Sequence, residues 1–331
     1  DPDTGKIKWG FQYTPNDPWD YDGMATPILI DRKIDGQDRK LAVVSNRNGF
    51  FYAIDRTNGQ FVYAFPLVEG INWTSGLDPK TGRPKVNEAL KPKVGGGTVK
   101  TIIPALEGGT NWFPRAYDPD LGVFFVAVNQ WGMDLTAWEK SKLLYKPGDF
   151  YQGADYQLHR MGETIGRIKA IDIANKKVVW EVRSPLPLFS GMLATKGGVL
   201  FTGDLRGRFL AYDAKSGKEL WKFQTGSGIN ASPITYELDG KQYVAILSGL
   251  GGDPTFYYSA PKGGMLWVFA IDGKVDEGDL YNTEVIEKML GAVDETGDGE
   301  LRVGGVGDSE PVLRVGLHPV VQLFDDPVLE L

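Results

Sequence analysis

Cysteine is absent from this sequence of 331 residues, and histidine occurs only twice, as His159 and His318. Without cysteine the chain can form neither a disulfide nor a thiolate metal site. Two histidines are too few for a multi-histidine metal centre, and they disfavour a Ser-His-Asp triad. A metal ion bound by this chain must therefore be held mainly by oxygen atoms, which favours a hard ion.

The chain also lacks long apolar runs and an excess of positive charge. No segment approaches the roughly 18 apolar residues of a membrane span. With 43 acidic and 36 basic residues the formal net charge is −7, which disfavours a non-specific nucleic-acid surface. No signal peptide is visible, and the opening residues 1–9 have the form of the middle of a repeat. We therefore expect that residues before Asp1 are missing from this chain.

Glycine, proline and aromatic residues are abundant: 43 glycines, 20 prolines and 12% aromatic residues. This composition is typical of many short strands joined by tight turns, and it predicts an all-β protein. One pattern recurs: an apolar pair, an aspartate, a turn with glycine and then an aromatic residue. The aspartates of its copies are Asp3, Asp55, Asp118, Asp172, Asp213 and, in a partial copy, Asp272.

A recurrence of roughly 40–50 residues in β-type segments predicts propeller blades, with longer intervals explained by insertions. In the clearest copy, we predict strands at 199–202, 208–212 and 219–223. Trp9, Trp180 and Trp221 are predicted to dock each blade on the next. Two stretches interrupt the repeat: a long connection at 66–112 and a predicted insertion loop at 131–160.

The repeat ends near Gly273, so we divide the chain into blades at 1–274 and an atypical acidic tail at 275–331. The tail is predicted to be helical near 283–290. Residues 294–301 faintly resemble a calcium loop but lack its ligand spacing, so we interpret them as a turn.

Two acids lie close together in the segment 19–23, and an arginine, Arg47, follows in the next strand-like segment. On a β-strand Asp20 and Asp22 would project from one face, about 7 Å apart. Two carboxylates that close repel each other unless a cation or a proton lies between them. The pair is therefore either two solvated turn acids or a hard-cation site with a catalytic carboxylate, and spacing alone does not decide between them.

Four motifs resemble those of the quinoprotein alcohol dehydrogenases, which use pyrroloquinoline quinone (PQQ) and include the methanol dehydrogenase large subunits. Residues 8–23 (KWGFQYTPNDPWDYDG) resemble the family's active-site segment, and residues 46–59 (NRNGFFYAIDRTNG) resemble the segment with the active-site arginine. Residues 109–114 (GTNWFP) and 185–191 (PLPLFSG) resemble turns that contact the cofactor. The resemblance extends from Asp1 to about residue 272.

The resemblance implies an eight-bladed type of β-propeller with tryptophan-docking repeats. About half to two-thirds of the blades would be present here, from the C-terminal part. The family's other metal-binding Glu and Asn, its stacking Trp and its adjacent-cysteine disulfide have no counterpart in this sequence. That departure puts autonomous activity in doubt.

The same resemblance implies roles for individual residues. Asp20 would be the catalytic base, and Arg47 would hydrogen-bond the quinone oxygen whose carbonyl the metal polarises. Asn111, Phe189 and Gly252 would contact PQQ. Phe189 stands where the family often has Trp, and Asp253 replaces the Trp of a Gly-Trp pair, so contact is expected through Gly252.

Asp22 bears on the identity of the metal. Family members that depend on lanthanides carry an additional Asp two residues after the catalytic one, where calcium enzymes usually have a small neutral residue. A trivalent ion offsets the repulsion of a second carboxylate better than a divalent ion. The resemblance thus implies that Asp20 and Asp22 bind a lanthanide ion, with Ca²⁺ as the alternative.

The implied function is the oxidation of primary alcohols to aldehydes in the periplasm, with electrons passed to a c-type cytochrome. One alternative is a non-catalytic propeller scaffold, such as the lipoproteins of outer-membrane assembly. Another is an inactive fragment that needs its N-terminal half. Because a partial propeller exposes apolar blade faces, we predict a homodimer or association with the missing half.

Overall fold

The computed structural model describes residues 1–149, 151–252, 258–260, 263–271 and 273, and the regular secondary structure of these residues is almost entirely β-strand. Two short 3₁₀ helices, Glu88–Leu90 and Lys140–Lys142, accompany the strands. The strands in chain order are β1 (Ile28–Ile34), β2 (Gln37–Ser45), β3 (Phe50–Asp55), β4 (Phe61–Pro66), β5 (Thr74–Leu77), β6 (Pro84–Val86), β7 (Thr98–Ile102), β8 (Ala116–Asp118), β9 (Val123–Asn129), β10 (Trp131–Ala137), β11 (Ala154–Arg160), β12 (Gly166–Asp172), β13 (Lys177–Ser184), β14 (Met192–Ala194), β15 (Val199–Gly203), β16 (Arg208–Asp213), β17 (Glu219–Gln224), β18 (Ile234–Leu238), β19 (Lys241–Ser248) and β20 (Met265–Phe269).

Antiparallel sheets in the form of propeller blades follow one another along the chain. Their strand orders are β1-β2-β3-β4, β8-β9-β12-β13, β14-β15-β16-β17 and, with three described strands, β18-β19-β20. The all-β prediction is confirmed, and β15, β16 and β17 extend the strands predicted in the clearest repeat by one residue each. None of the helices in the described residues is long and apolar enough to cross a membrane.

The interpretation of residues 131–160 as an insertion loop is wrong in part, because much of the insertion is a β-hairpin. β10 pairs with β11 from Trp131↔Arg160 to Ala137↔Ala154, and β7 joins the other side of β10. β9 leads into β10 and β11 leads into β12. The hairpin and the blade are separate sheets, and Gln130 N donates to Ile165 O at 2.7 Å between them.

The core lies between blades rather than beneath a single sheet. All seven residues of β9 are buried, since neighbouring sheets cover both of its faces. Phe51 of β3 meets Phe124 of β9 edge to face, with ring centroids 5.3 Å apart. A strand buried on both faces is almost continuously apolar, as the sequence VFFVAVN of β9 shows.

Trp180 docks its blade on the next one as predicted, whereas Trp9 precedes the first described strand and docks on the blade β1–β4. The ring of Trp221 contacts Phe269 of the following blade, with centroids 5.5 Å apart. The Trp9 indole N–H donates to Arg56 O at 3.1 Å, and the Trp180 indole N–H donates to Ala214 O at 3.0 Å. Each ring lies against a turn glycine with positive φ, Gly59 or Gly217, where a Cβ atom would come within 2.8 Å of the ring. Only glycine leaves room for the indole at these turns.

The repeat at Asp118 does not mark a blade junction. Asp118 ends β8, the first strand of its blade, whereas Asp55, Asp172 and Asp213 end third strands. The error arises because the pattern describes a local turn. In it the aspartate carbonyl accepts the N–H of the glycine four residues later, as from Gly122 to Asp118 at 2.8 Å. The same turn serves both kinds of hairpin.

The partial repeat at Asp272, the boundary at residue 274 and the predicted tail 275–331 with its helix lie outside the described residues. They remain predictions from the sequence.

Docking by Trp180 can be tested by truncation. We expect Trp180→Ala to lower the free energy of unfolding by about 3 kcal/mol, because it removes a large inter-blade ring and a hydrogen bond. Trp112→Ala is the matched control, since Trp112 is 48% exposed and should cost little. Urea unfolding measures both, and equal losses in the two variants would contradict inter-blade docking.

Candidate active site

Asp20 and Asp22 lie in a loop without strand structure, so the prediction of a β-strand here is wrong. Asp20 has a φ of 67°, in the left-handed region. The loop nevertheless alternates: Trp19 and Tyr21 are each 1% exposed, and both acids point outward. The two carboxylates therefore share one side of the segment, for a reason other than strand geometry.

Asp17 fixes this loop. Its carboxylate accepts the backbone N–H of Trp19 at 2.8 Å and that of Tyr21 at 2.5 Å, so the chain folds tightly around Asp20. The buried rings of Trp19 and Tyr21 anchor both sides, with centroids 5.8 Å apart. Burial raises the pKa of Asp17 to about 6, against the opposing effect of these N–H donors.

Arg47 lies in the tight turn between β2 and β3, and its side chain is 8% exposed. Its Nη2 donates to Asp20 Oδ2 at 3.0 Å and to the Leu106 carbonyl. Its Nη1 lies 3.7 Å from Asp22 Oδ2. The structure thus brings Asp20, Asp22 and Arg47 together, and we call these three residues the acid–arginine cluster.

The charge balance of the cluster leaves the Asp20 pKa above its ordinary value. Burial is the main cause, Arg47 opposes it, and the nearby Asp22 raises the pKa further. A carboxylate with a raised pKa, half exposed beside a cation, is a stronger proton acceptor than an ordinary aspartate. The arrangement can therefore perform base chemistry on a bound ligand.

Two buried donors at this turn have no hydrogen-bond partner in the described part of the chain: Arg47 Nε and Asn46 Nδ2. Buried polar atoms are normally paired, so donors left without a partner at one turn need an explanation. An acceptor-rich ligand is one that fits this donor set.

Asn111 joins the cluster through the loop at 105–113. This loop supplies the Leu106 carbonyl to Arg47, and Gly109 N donates to Arg47 O at 2.8 Å. The Asn111 amide donates to Glu107 O at 3.0 Å and to Glu107 Oε2 at 3.2 Å. Its own oxygen accepts the Trp112 N–H, so this amide is largely engaged within its loop.

Phe189 lies in the loop between β13 and β14, and Gly252 lies in the loop after β19. Phe189 is 2% exposed, and its ring packs edge to face against Phe113 and Trp131. A ring so enclosed supports the wall behind the Asn111 turn and offers no free face. Gly252 is exposed in the loop after β19, with a φ of 66°. Asp253, the next residue in the chain, lies outside the described residues.

Metal ligation rests on few side chains. Among the described residues no group of three or more His, Cys, Asp or Glu side chains is positioned to hold a metal ion. Asp20 and Asp22 supply carboxylate oxygens, the ligand type that hard cations prefer. Two carboxylates alone do not complete a coordination sphere.

Asp17 and Arg115 are not among the residues predicted from the sequence. Asp17 carries a weak signal, since an aspartate before a tight turn commonly caps backbone N–H groups. Arg115 carries none, because an isolated arginine after a proline is usually a surface residue. In the structure Arg115 is 9% exposed and donates to the carbonyls of Ser45, Asn111 and Phe113.

Comparisons with known proteins match one family of enzymes. The family model for the β-propeller domain of PQQ-dependent glucose/ethanol/alcohol dehydrogenases matches residues 1–69 and 84–244. Quinoprotein alcohol dehydrogenase PedH of Pseudomonas putida is 43% identical over 289 residues, which are 83% of this chain and 48% of PedH. The 1-butanol dehydrogenase (cytochrome c) of Thauera butanivorans is 36% identical over 312 residues, which are 90% of this chain and 44% of the relative.

A solved structure described as a europium-containing methanol dehydrogenase matches with a TM-score of 0.72 and 38% identity. The match covers 76% of this chain and 44% of that one. The chain thus spans less than half the length of the relatives that it matches.

Proposed function

This chain belongs to the PQQ-dependent alcohol dehydrogenase family, and from that premise we propose that it supplies part of a site that oxidises primary alcohols to aldehydes. The acid–arginine cluster carries the proposal. A base with a raised pKa lies 3.0 Å from a buried guanidinium, within a segment that resembles the family's active site.

PQQ, when bound, would accept the carbinol hydrogen of the alcohol together with its two electrons, and a metal ion would act as a Lewis acid on the quinone. Arg47 Nε and Asn46 Nδ2, which have no partner in the described residues, fit a ligand that brings acceptors. Asn111 and the backbone of its loop would line the same ligand, with Phe189 behind them. Gly252 is proposed as a further contact on the resemblance alone.

Asp20 takes the hydroxyl proton of the alcohol. Its half-exposed carboxylate is accessible to a substrate, and its raised pKa brings proton acceptance closer to neutral pH. Arg47 holds the Asp20 carboxylate in place. Its positive charge would stabilise the negative charge that develops on the quinone oxygen. The buried Trp19 and Tyr21 keep the Asp20 loop rigid.

Activity tests this proposal. The chain is mixed with PQQ and either La³⁺ or Ca²⁺, and a primary alcohol and an artificial electron acceptor are added. We expect aldehyde to form and the acceptor to be reduced in proportion. Bound quinone without any aldehyde would contradict catalysis by this chain and favour a scaffold or an incomplete site.

Asp22 is proposed to favour a lanthanide over calcium. Its carboxylate lies on the same side as that of Asp20, and a trivalent ion offsets two adjacent negative charges better than a divalent ion. We expect Asp22→Ala to lower the La³⁺-to-Ca²⁺ affinity ratio at least about tenfold, which corresponds to about 1.4 kcal/mol. Metal titrations in the presence of PQQ measure the ratio. Asp38→Ala, at an exposed acid, is the control, and an unchanged ratio in Asp22→Ala would contradict this assignment.

A c-type cytochrome is the proposed electron acceptor, with a periplasmic location. The name of the Thauera butanivorans relative supports this acceptor.

Association through an open blade face is also proposed. β18 and β19 expose Ile234, Leu238 and Leu247 on one face, each more than half exposed, and such a face favours burial against another blade.

A further inference from the structure

Arg115 is a buried cation with an unusual environment. The described residues contain four buried basic side chains: Arg47, Arg115, Arg167 and Lys169. Arg47 faces Asp20 and Asp22, while Arg167 and Lys169 face Glu181. For Arg115 no carboxylate within 4 Å is found in the described part of the chain. Burying a charge without a counter-charge is costly, so its position needs a compensating role.

All three guanidinium nitrogens of Arg115 donate to neutral oxygens. Nε donates to Ser45 Oγ at 2.6 Å, and Nη1 donates to Phe113 O at 2.9 Å. Nη2 donates to Ser45 O at 3.1 Å, Thr110 Oγ1 at 2.9 Å and Asn111 O at 2.6 Å. Ser45 ends β2 two residues before Arg47, so these bonds join the Arg47 turn to the Asn111 loop.

The charge persists at neutral pH. Burial lowers the pKa of Arg115 to about 9, which still leaves the guanidinium protonated. Hydrogen bonds to carbonyl oxygens satisfy its donors but leave its net charge uncompensated. In a low-dielectric interior such a charge acts over a longer distance than it would in water.

We propose that Arg115 is a positioning residue that clamps the Arg47 turn to the Asn111 loop and whose uncompensated charge makes the site select an anionic quinone. This inference rests on the proposed function, because the ligand it addresses is the quinone. PQQ is a tricarboxylate, so it brings negative charge to a guanidinium whose five hydrogen bonds in the described residues all go to neutral oxygens. Neutral quinones of similar shape gain less from this charge, because they offer it only carbonyl dipoles.

Two variants separate the clamp from the charge. Arg115→Gln removes the charge and most of the hydrogen bonds, whereas Arg115→Lys keeps the charge but cannot span Ser45, Thr110 and Asn111 together. Arg167→Gln is the matched control, since Arg167 is also buried but pairs with Glu69 and Glu181. It should destabilise the chain without altering the choice of ligand.

Hydrogen exchange of the quinone-free chain tests the clamp. We expect faster exchange at residues 44–48 and 109–113 together in both Arg115 variants, and not in Arg167→Gln. Unchanged exchange in both segments would overturn the clamp. This readout requires no ligand, so it stands whether or not the chain binds PQQ.

Quenching of tryptophan fluorescence by PQQ and by its uncharged trimethyl ester tests the charge. We expect the parent chain to prefer PQQ, and Arg115→Gln to lose about tenfold of that preference. Arg115→Lys and Arg167→Gln should retain it. An undiminished preference in Arg115→Gln would overturn selection by charge. Failure of the parent to bind either form would overturn both that selection and the proposed function, whereas the clamp would still stand or fall by hydrogen exchange.

Discussion

Replacement of Asp20 by Asn is expected to lower kcat for a primary alcohol by about 10³-fold, within the range typical of a lost general base. Asn is nearly the same size, so Trp19, Tyr21 and the Asp17 hydrogen bonds keep the loop folded. It cannot accept the hydroxyl proton, and it would remove one charge from the proposed metal site. Steady-state kinetics with PQQ and saturating metal measures the loss.

Asp38→Asn is the matched control, because Asp38 is an exposed acid with a side chain 87% accessible. Its kcat should stay within about twofold of the parent. PQQ affinity of Asp20→Asn, measured in parallel, should fall far less than kcat. An Asp20→Asn variant that retains most of the parent activity would eliminate Asp20 as the base.

Replacement of Arg47 by Gln is expected to lower kcat by about 10²–10³-fold, the usual effect of removing a preorganised charged donor. A second effect follows from the Asp20 pKa. Arg47 lowers that pKa against burial and Asp22, so without the guanidinium the pKa rises further. Because Asp20, as the proposed base, would act only when deprotonated, the acid limb of the kcat/KM profile should move to higher pH.

Arg47→Lys separates charge from geometry. Lysine keeps a positive charge near Asp20 and should leave the acid limb close to its original pH, but it lacks the fork that reaches Asp20, Asp22 and Leu106 together. Arg56→Gln is the control, since Arg56 forms a separate ion pair with Asp31. If Arg47→Gln retained activity with an unshifted profile, Arg47 would have no role in the chemistry.

The sequence predicts the fold well where local and global signals agree. The repeat at 199–225 contains strand, turn and strand with clear periodicity, and β15 to β17 follow it closely. The copy at Asp118 misleads because a five-residue turn recurs wherever a hairpin needs it. The hairpin of β10 and β11 is also missed, because its pairing depends on long-range register.

In the site, too, some features are predicted from local sequence and others depend on long-range contacts. Resemblance of the segments around Asp20 and Arg47 to known motifs identifies two residues that the structure brings within 3.0 Å. Their outward geometry comes from the Asp17 turn and the buried Trp19 and Tyr21, rather than from strand alternation. Arg115 could not be predicted, because its importance depends on contacts with Ser45, 70 residues away in the sequence.

The most direct test of a quinone site is to measure PQQ binding by this chain. PQQ is titrated in the presence of La³⁺, of Ca²⁺ or of a chelator, and quenching of tryptophan fluorescence reports the binding. We predict saturable quenching that is stronger with La³⁺ than with Ca²⁺ and weakest with the chelator. Absence of quenching under all three conditions would contradict the claim that the acid–arginine cluster and its neighbouring loop form a quinone site in this chain.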